Sequence, residues 1–113
     1  MICVNVSTLS AYQEPYTVVS PRAARIHNAT FVFDGHNDLP YTLKKVASSS
    51  FVKMDIAKPQ PTIHTDIPRL FQGNVGAQYW SVYVPAATAY RGAALLETLE
   101  QIQIVHAMIK KYP

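Results

Sequence analysis

A histidine and an aspartate two positions apart form the strongest chemical signal in this sequence. His36 and Asp38 follow an apolar run at residues 31–33 and precede Pro40. Successive side chains of a strand alternate between its two faces, so this spacing predicts that both project to the same side. Asp34 would join them if the extended backbone begins that early. Imidazole nitrogen and carboxylate oxygen are both zinc ligands, so the pair could supply half of a tetrahedral site.

The same residues have a purely structural interpretation. His-x-Asp is a short pattern that arises by chance, and Asp38 could instead cap a following helix while His36 packs against its surroundings. Gly35 suggests a close backbone approach, and Pro40 should end strand pairing before a helical turn at residues 41–46. The residue types alone leave the metal site and the helix cap open.

A second His-x-Asp pair occurs at His64 and Asp66. From spacing alone, the two pairs could be assembled into one four-ligand site. Asp66, however, directly precedes Ile67 and Pro68, where it can cap a helical turn that has proline near its start. Because no apolar strand leads into His64, the sequence favours the helix cap over a second pair of ligands.

The elements around these motifs predict parallel strands joined by crossover helices. Residues 30–33 read as a short buried strand, and residues 75–84 are almost continuously apolar, as expected for a strand covered on both faces. Gln78 and Ser81 are the polar exceptions and could point into a site, although we expect them to satisfy neighbouring backbone groups. The order strand, crossover, strand, helix is typical of an α/β fold.

Helices should flank the strands. Ser20 and Pro21 are expected to begin a short helix that ends near Asn28. Residues 91–112 predict a long amphipathic helix. The apolar positions expected to face the sheet are Leu95, Leu99, Ile102, Val105 and Ile109, with Leu96 and Met108 widening the stripe. Residues 51–56 alternate loosely and suggest a short strand or an extended arm.

Composition excludes several classes of protein. The chain has 113 residues and a net charge of +3, but its basic residues are scattered, which argues against a nucleic-acid partner. A single cysteine excludes an intrachain disulfide. No segment has the length of a membrane span or the pattern of a signal peptide, so the sequence leaves the localisation open. Residues 1–21 have no clear period and read as a loosely ordered lead-in.

Three blocks, in this order along the chain, resemble the membrane (renal-type) dipeptidase family. They are DGHNDLP at residues 34–40, HTDIPRL at residues 64–70 and GAQYWSVYVP at residues 76–85. Similarity continues through residues 98–113, so the resemblance covers residues 22–113. Three blocks in register are far more specific than one His-x-Asp pair.

The resemblance implies a zinc peptidase on a (β/α)8 barrel that hydrolyses dipeptides, with two zinc ions per complete site. Residues 22–113 would form the first βα units of that barrel, an incomplete domain. His36 and Asp38 would be ligands of one zinc at the C-terminal end of the first strand, where barrel active sites lie. His64 and Asp66 would stay structural. A homodimer and a secreted or membrane-associated location are also implied only by the resemblance.

Family members run to several hundred residues, and their other metal ligands and substrate-binding residues come from later strands. Those residues would fall beyond Pro113, so no catalytic residue other than the two ligands is expected here, and the isolated chain should be inactive. The chain could also be a short non-catalytic product or a truncated gene. Another metal-dependent barrel hydrolase, such as an amidohydrolase, is disfavoured by the Gln-Tyr-Trp-Ser-Val-Tyr run at residues 78–83.

Overall fold

The computed structural model describes residues 18–113, which form two strands and five helices. In chain order these are α1 (Pro21–Ala29), β1 (Val32–Asn37), α2 (Leu39–Ala47), α3 (Ile67–Gln72), β2 (Val75–Trp80), α4 (Ala87–Tyr90) and α5 (Ala94–Lys111). The predicted lead-in falls mostly outside the described residues. No helix within residues 18–113 is long and apolar enough to cross a membrane.

The two strands pair in parallel, as predicted, and the pairing is interrupted twice. Val32 lies opposite Val75, whereas Phe33 lies opposite Ala77, so β2 carries one extra residue at Gly76. A Cβ atom at Gly76 would come within 2.7 Å of the Phe31 side chain. The close approach expected at Gly35 therefore occurs at Gly76, while the space beside Gly35 is open. Glycine at position 76 allows the chain before β1 to cross closely over β2.

The strand boundaries and strand burial differ from those expected. β1 continues to Asn37, and β2 ends at Trp80 rather than at Val84. The prediction that both strands are buried is wrong for this structure, because the rings of Phe33 and Tyr79 are largely exposed and pack on each other at a centroid distance of 5.3 Å. Of the described helices, α3 has the largest contact with β2.

A compact apolar core joins α2, the connection that follows it and α5. Its buried members are Leu39, Leu43, Ala47, Met54, Ile56, Ile63, Ile104 and Met108. The expected strand at residues 51–56 is wrong, because this segment forms turns. Two of its apolar side chains nevertheless reach the core, so their loose alternation reflects burial rather than strand geometry.

Most of the apolar stripe predicted for α5 lies away from the buried face. Leu95 and Leu99 are 74% and 49% exposed, whereas Met108, which is expected only to widen the stripe, is 3% exposed. The helix packs on α2 through Gln101, Ile104 and Met108, and the Nζ atom of Lys44 lies 2.7 Å from Oε2 of Glu100 across the contact. The buried face of α5 contains the polar residue Gln101. A pattern of apolar residues in the sequence therefore indicates the neighbouring face of the helix, which is exposed.

Two of the predicted helix caps are confirmed. The Ser20 side chain accepts a hydrogen bond from the Ala23 N–H at the start of α1. Asp66, which is 1% exposed, accepts one at 2.9 Å from the Arg69 N–H at the start of α3. Asp66 also accepts hydrogen bonds from the Gln60 N–H and the Arg69 Nε atom, so it joins the α3 terminus to the preceding loop.

Paired alanine substitutions test which face of α5 is buried. Met108→Ala should lower the free energy of unfolding by about 2–5 kcal/mol because it opens a cavity in the core. Leu99→Ala should cost only about 0.5 kcal/mol because the side chain is half exposed. Urea denaturation of both variants measures the difference. A larger loss for Leu99→Ala would contradict this packing.

The acid stability of the chain tests the Asp66 cap. Hydrogen bonds, chiefly from the Gln60 N–H, hold the pKa of Asp66 below its ordinary value of 3.8. Its stabilisation is therefore complete above pH 3.8 and is lost as the pH falls through the lower folded pKa. We expect Asp66→Asn to flatten the acid decline in the free energy of unfolding, measured by urea denaturation across the acidic range. Identical slopes for the two proteins would refute the cap's electrostatic role.

Candidate metal centre

His36 and Asp38 meet at the C-terminal end of β1. The strand ends at Asn37, and the Nε2 atom of His36 lies 3.1 Å from Oδ2 of Asp38. The two side chains are 69% and 48% exposed, respectively, so both reach solvent. Asp38 also holds the N-cap position of α2, but its side chain makes no capping hydrogen bond. The structure therefore places the carboxylate beside the imidazole rather than at the helix terminus.

A bulge in β1 lies directly before this pair. Asp34 is opposite Gln78 and Asn37 is opposite Trp80, so β1 uses three steps where β2 uses two. Such a bulge bends the strand and re-aims the side chains near it, as is common beside active sites. Asp34 does not join the pair as a ligand, because its Oδ1 atom accepts the His36 N–H at 3.2 Å within the bulge.

The pair opens onto a cleft of about 270 Å³. One wall is the end of β1 and the start of α2, and the other wall is the segment at residues 63–65 that precedes α3. Its lining residues are His36, Asn37, Asp38, Leu39, Thr42, Ile63, His64 and Thr65. His64 is thus in the cleft, although the sequence treats it as structural, whereas Asp66 is committed to the α3 cap.

Two neighbouring side chains act on the Asp38 carboxylate. Hydrogen bonding from the Ser81 side chain, and then from His36, holds the pKa of Asp38 below its ordinary value. Ser81 also accepts the Tyr83 N–H at 3.2 Å, so it serves the local backbone and the site together. Gln78 donates to the carbonyl groups of Asp34 and Tyr79, which is the backbone role that the sequence suggests.

Asn37 organises the backbone between the two candidate ligands. Its side-chain Nδ2 donates to Oγ1 of Thr65 at 3.0 Å and to Oε1 of Gln78 at 3.4 Å. Its Oδ1 accepts the Leu39 N–H at 3.0 Å and the Thr65 hydroxyl at 3.3 Å. Sequence reasoning missed Asn37 and Thr65, although each directly follows a histidine in a polar block. Their position next to a histidine is the feature of the sequence that could have identified them.

The donor geometry fits one zinc ion. Two ligands bound at the usual zinc distances with a tetrahedral angle are separated by roughly 3.3 Å. The observed separation of 3.1 Å is close to this value, and the donors are the nitrogen and oxygen types that zinc accepts. Among residues 18–113, however, no group of three His, Cys, Asp or Glu side chains is close enough to hold a metal ion. The described chain therefore offers two ligands.

Comparison with known proteins assigns the chain to a family. Residues 20–113 match the family model for membrane dipeptidase (peptidase family M19). A protein named dipeptidase ataJ, from Aspergillus terreus, is 34% identical over 114 residues, which cover 94% of this chain and 27% of that relative. The chain therefore spans about a quarter of the length of this curated relative.

The matched region contains every described element of the fold and both sides of the cleft. It begins at the Ser20 cap of α1 and runs through α5. Because the match extends over most of the sequence, the chain belongs to the membrane dipeptidase family, peptidase family M19.

Proposed function

We propose that this chain is the N-terminal part of a zinc-dependent dipeptidase, in which His36 and Asp38 hold one of two zinc ions. The observation that carries the proposal is the 3.1 Å approach of the imidazole and carboxylate at the end of β1. Family membership favours peptide hydrolysis over the chemistry of other metal-dependent barrel hydrolases. The dipeptidase name of the curated relative supports the same activity.

The described residues of the site comprise two candidate ligands and the groups that hold them in position. His36 would supply Nε2 and Asp38 a carboxylate oxygen, and the Ser81 hydrogen bond holds the pKa of that carboxyl group below its ordinary value. Zinc, when bound, lowers the pKa of water and polarises a peptide carbonyl. Asn37 fixes the backbone between the ligands, and the wall at residues 63–65 limits where a small substrate can lie.

We further propose that residues 22–113 form the first units of a (β/α)8 barrel, preceded by a lead-in at residues 1–21. The parallel pairing of β1 with β2 and the candidate ligands at the C-terminal end of β1 agree with the architecture of such barrels. Further barrel units would cover the exposed apolar strand faces and the outer stripe of α5. Exposed members of these surfaces include Phe33, Tyr79, Leu95 and Leu99.

The first test uses the longer protein that we propose contains this chain, purified with zinc. It should hydrolyse a simple dipeptide, and His36→Ala should abolish hydrolysis and lower the zinc content, because the variant removes a ligand. His106→Ala is the matched control, since this exposed histidine lies on α5 away from the cleft. Full activity in His36→Ala would remove the basis of the proposal.

The second test uses the 113-residue chain alone. Catalytic zinc sites normally have three protein ligands, and the described residues bring together two. We therefore predict that the isolated chain binds zinc weakly and does not hydrolyse dipeptides. Added zinc and a dipeptide assay check this against a metal-only blank. Hydrolysis above the blank that disappears in His36→Ala would show that the chain forms a complete site on its own.

A further inference from the structure

We propose that the Asn37 side-chain amide and the Thr65 hydroxyl form a positioning clamp that sets the orientation of His36 and Asp38 as metal ligands. This inference rests on the proposed function. It assigns a role to two residues that do not themselves act as ligands. The clamp joins the end of β1 to the segment at residues 63–65, which is the opposite wall of the cleft.

The Asn37 amide is saturated with hydrogen bonds. A side-chain amide has two N–H donors and an oxygen with two lone pairs. Both donors of Asn37 are used, by Thr65 and Gln78, and its oxygen accepts from Thr65 and from the Leu39 N–H. All four positions are filled, so the amide has one favoured orientation, and rotating it would break several bonds at once.

Packing gives the candidate ligands little support. Their side chains are 69% and 48% exposed, so close packing does not hold them in place. Apart from the hydrogen bond that Ser81 gives Asp38, their positions therefore depend on the backbone that carries them. Asn37 lies between the two in sequence, and its oxygen holds the Leu39 N–H on the far side of Asp38. Fixing Asn37 fixes the directions in which the two neighbouring side chains leave the chain.

Thr65 is itself held in place by its surroundings. Its side chain is nearly buried at 9% exposure, and its hydroxyl both accepts from and donates to the Asn37 amide. This reciprocal pair spans 28 residues of sequence. Thr65 also adjoins Asp66, whose three hydrogen bonds anchor it to α3 and the preceding loop. The clamp is consequently tied to a rigid part of the fold, as a supporting contact of a metal site must be.

Three substitutions separate positioning from stability. Thr65→Val keeps the side-chain shape and removes the hydroxyl, whereas Thr65→Ser keeps the hydroxyl. Thr88→Val is the control, because Thr88 is 1% exposed and donates its hydroxyl proton to the Pro85 carbonyl outside the cleft. Circular dichroism and urea denaturation establish that each variant folds. The host is the 113-residue chain, and the probe is zinc alone.

Two readouts report on the clamp. Nuclear magnetic resonance of the metal-free chain measures hydrogen exchange at the Leu39 N–H, with the Glu97 N–H of α5 as internal reference. A zinc titration that extends to millimolar concentrations follows the imidazole signals of His36, identified with His36→Ala. We expect Thr65→Val to accelerate exchange at Leu39 and to weaken zinc binding at His36 roughly tenfold, as for other supporting contacts of metal ligands. Thr65→Ser and Thr88→Val should match the wild-type chain in both readouts.

Each contrary outcome identifies which claim fails. Unchanged zinc affinity in Thr65→Val, with a wild-type response at His36, would overturn the clamp and leave the metal site standing. If Thr88→Val weakens zinc binding as much as Thr65→Val does, the effect is a general loss of stability, and the clamp is overturned. If the wild-type His36 signals do not respond to zinc at any concentration tested, His36 and Asp38 do not bind zinc in this chain and the clamp is overturned. The proposed function is then decided separately, by the zinc content of His36→Ala in the longer protein.

Discussion

Parallel pairing of β1 with β2 is the constraint on which the rest of the structure depends. Two parallel strands cannot be joined by a tight turn, so the chain must return along the length of the sheet before it can pair again. Residues 38–74 make this return and contain α2, an irregular segment with a few buried side chains, and α3. Packing of this connection against α5 supplies the apolar core, with Leu43 completely buried at its centre. The buried apolar side chains that stabilise the fold therefore lie mainly beside the sheet rather than against its faces.

The same constraint creates the cleft. Parallel strands end at the same edge, so Asn37 at the end of β1 lies opposite Trp80 at the end of β2. Ser81, immediately after β2, continues the pairing by donating its N–H to the Asn37 carbonyl at 2.9 Å. The returning connection then brings Thr65 to the same edge. Polar groups from three separate stretches of sequence thus converge where the candidate ligands emerge.

Sequence reasoning succeeded where the determining interactions are local. The Asp66 cap depends on residues three positions apart, and the long helix α5 is evident from its composition and period. The approach of His36 to Asp38 was predicted from their spacing, although the bulge in β1 disturbs the regular alternation of side chains between the two faces of the strand.

Non-local interactions explain what the sequence could not predict. The buried face of α5 is decided by its contact with α2, where Gln101 takes a position that periodicity assigns to an apolar residue. β2 ends at Trp80 although its apolar run continues, because strand length depends on the pairing partner. Asn37 and Thr65 are 28 residues apart, and no sequence period relates them. Their hydrogen bonds exist only because the crossover folds back to the strand end.

The His36–Asp38 distance is compatible with two chemical states. At 3.1 Å the two groups form a hydrogen-bonded ion pair when the imidazole is protonated, and they also match two neighbouring ligands of one zinc ion. A crystal structure of the longer protein that we propose, grown with zinc and with anomalous scattering measured at the zinc edge, distinguishes these states most directly. Our account predicts an anomalous peak about 2.0–2.2 Å from both Nε2 of His36 and a carboxylate oxygen of Asp38. A zinc peak elsewhere, with the His36–Asp38 ion pair intact, would contradict it.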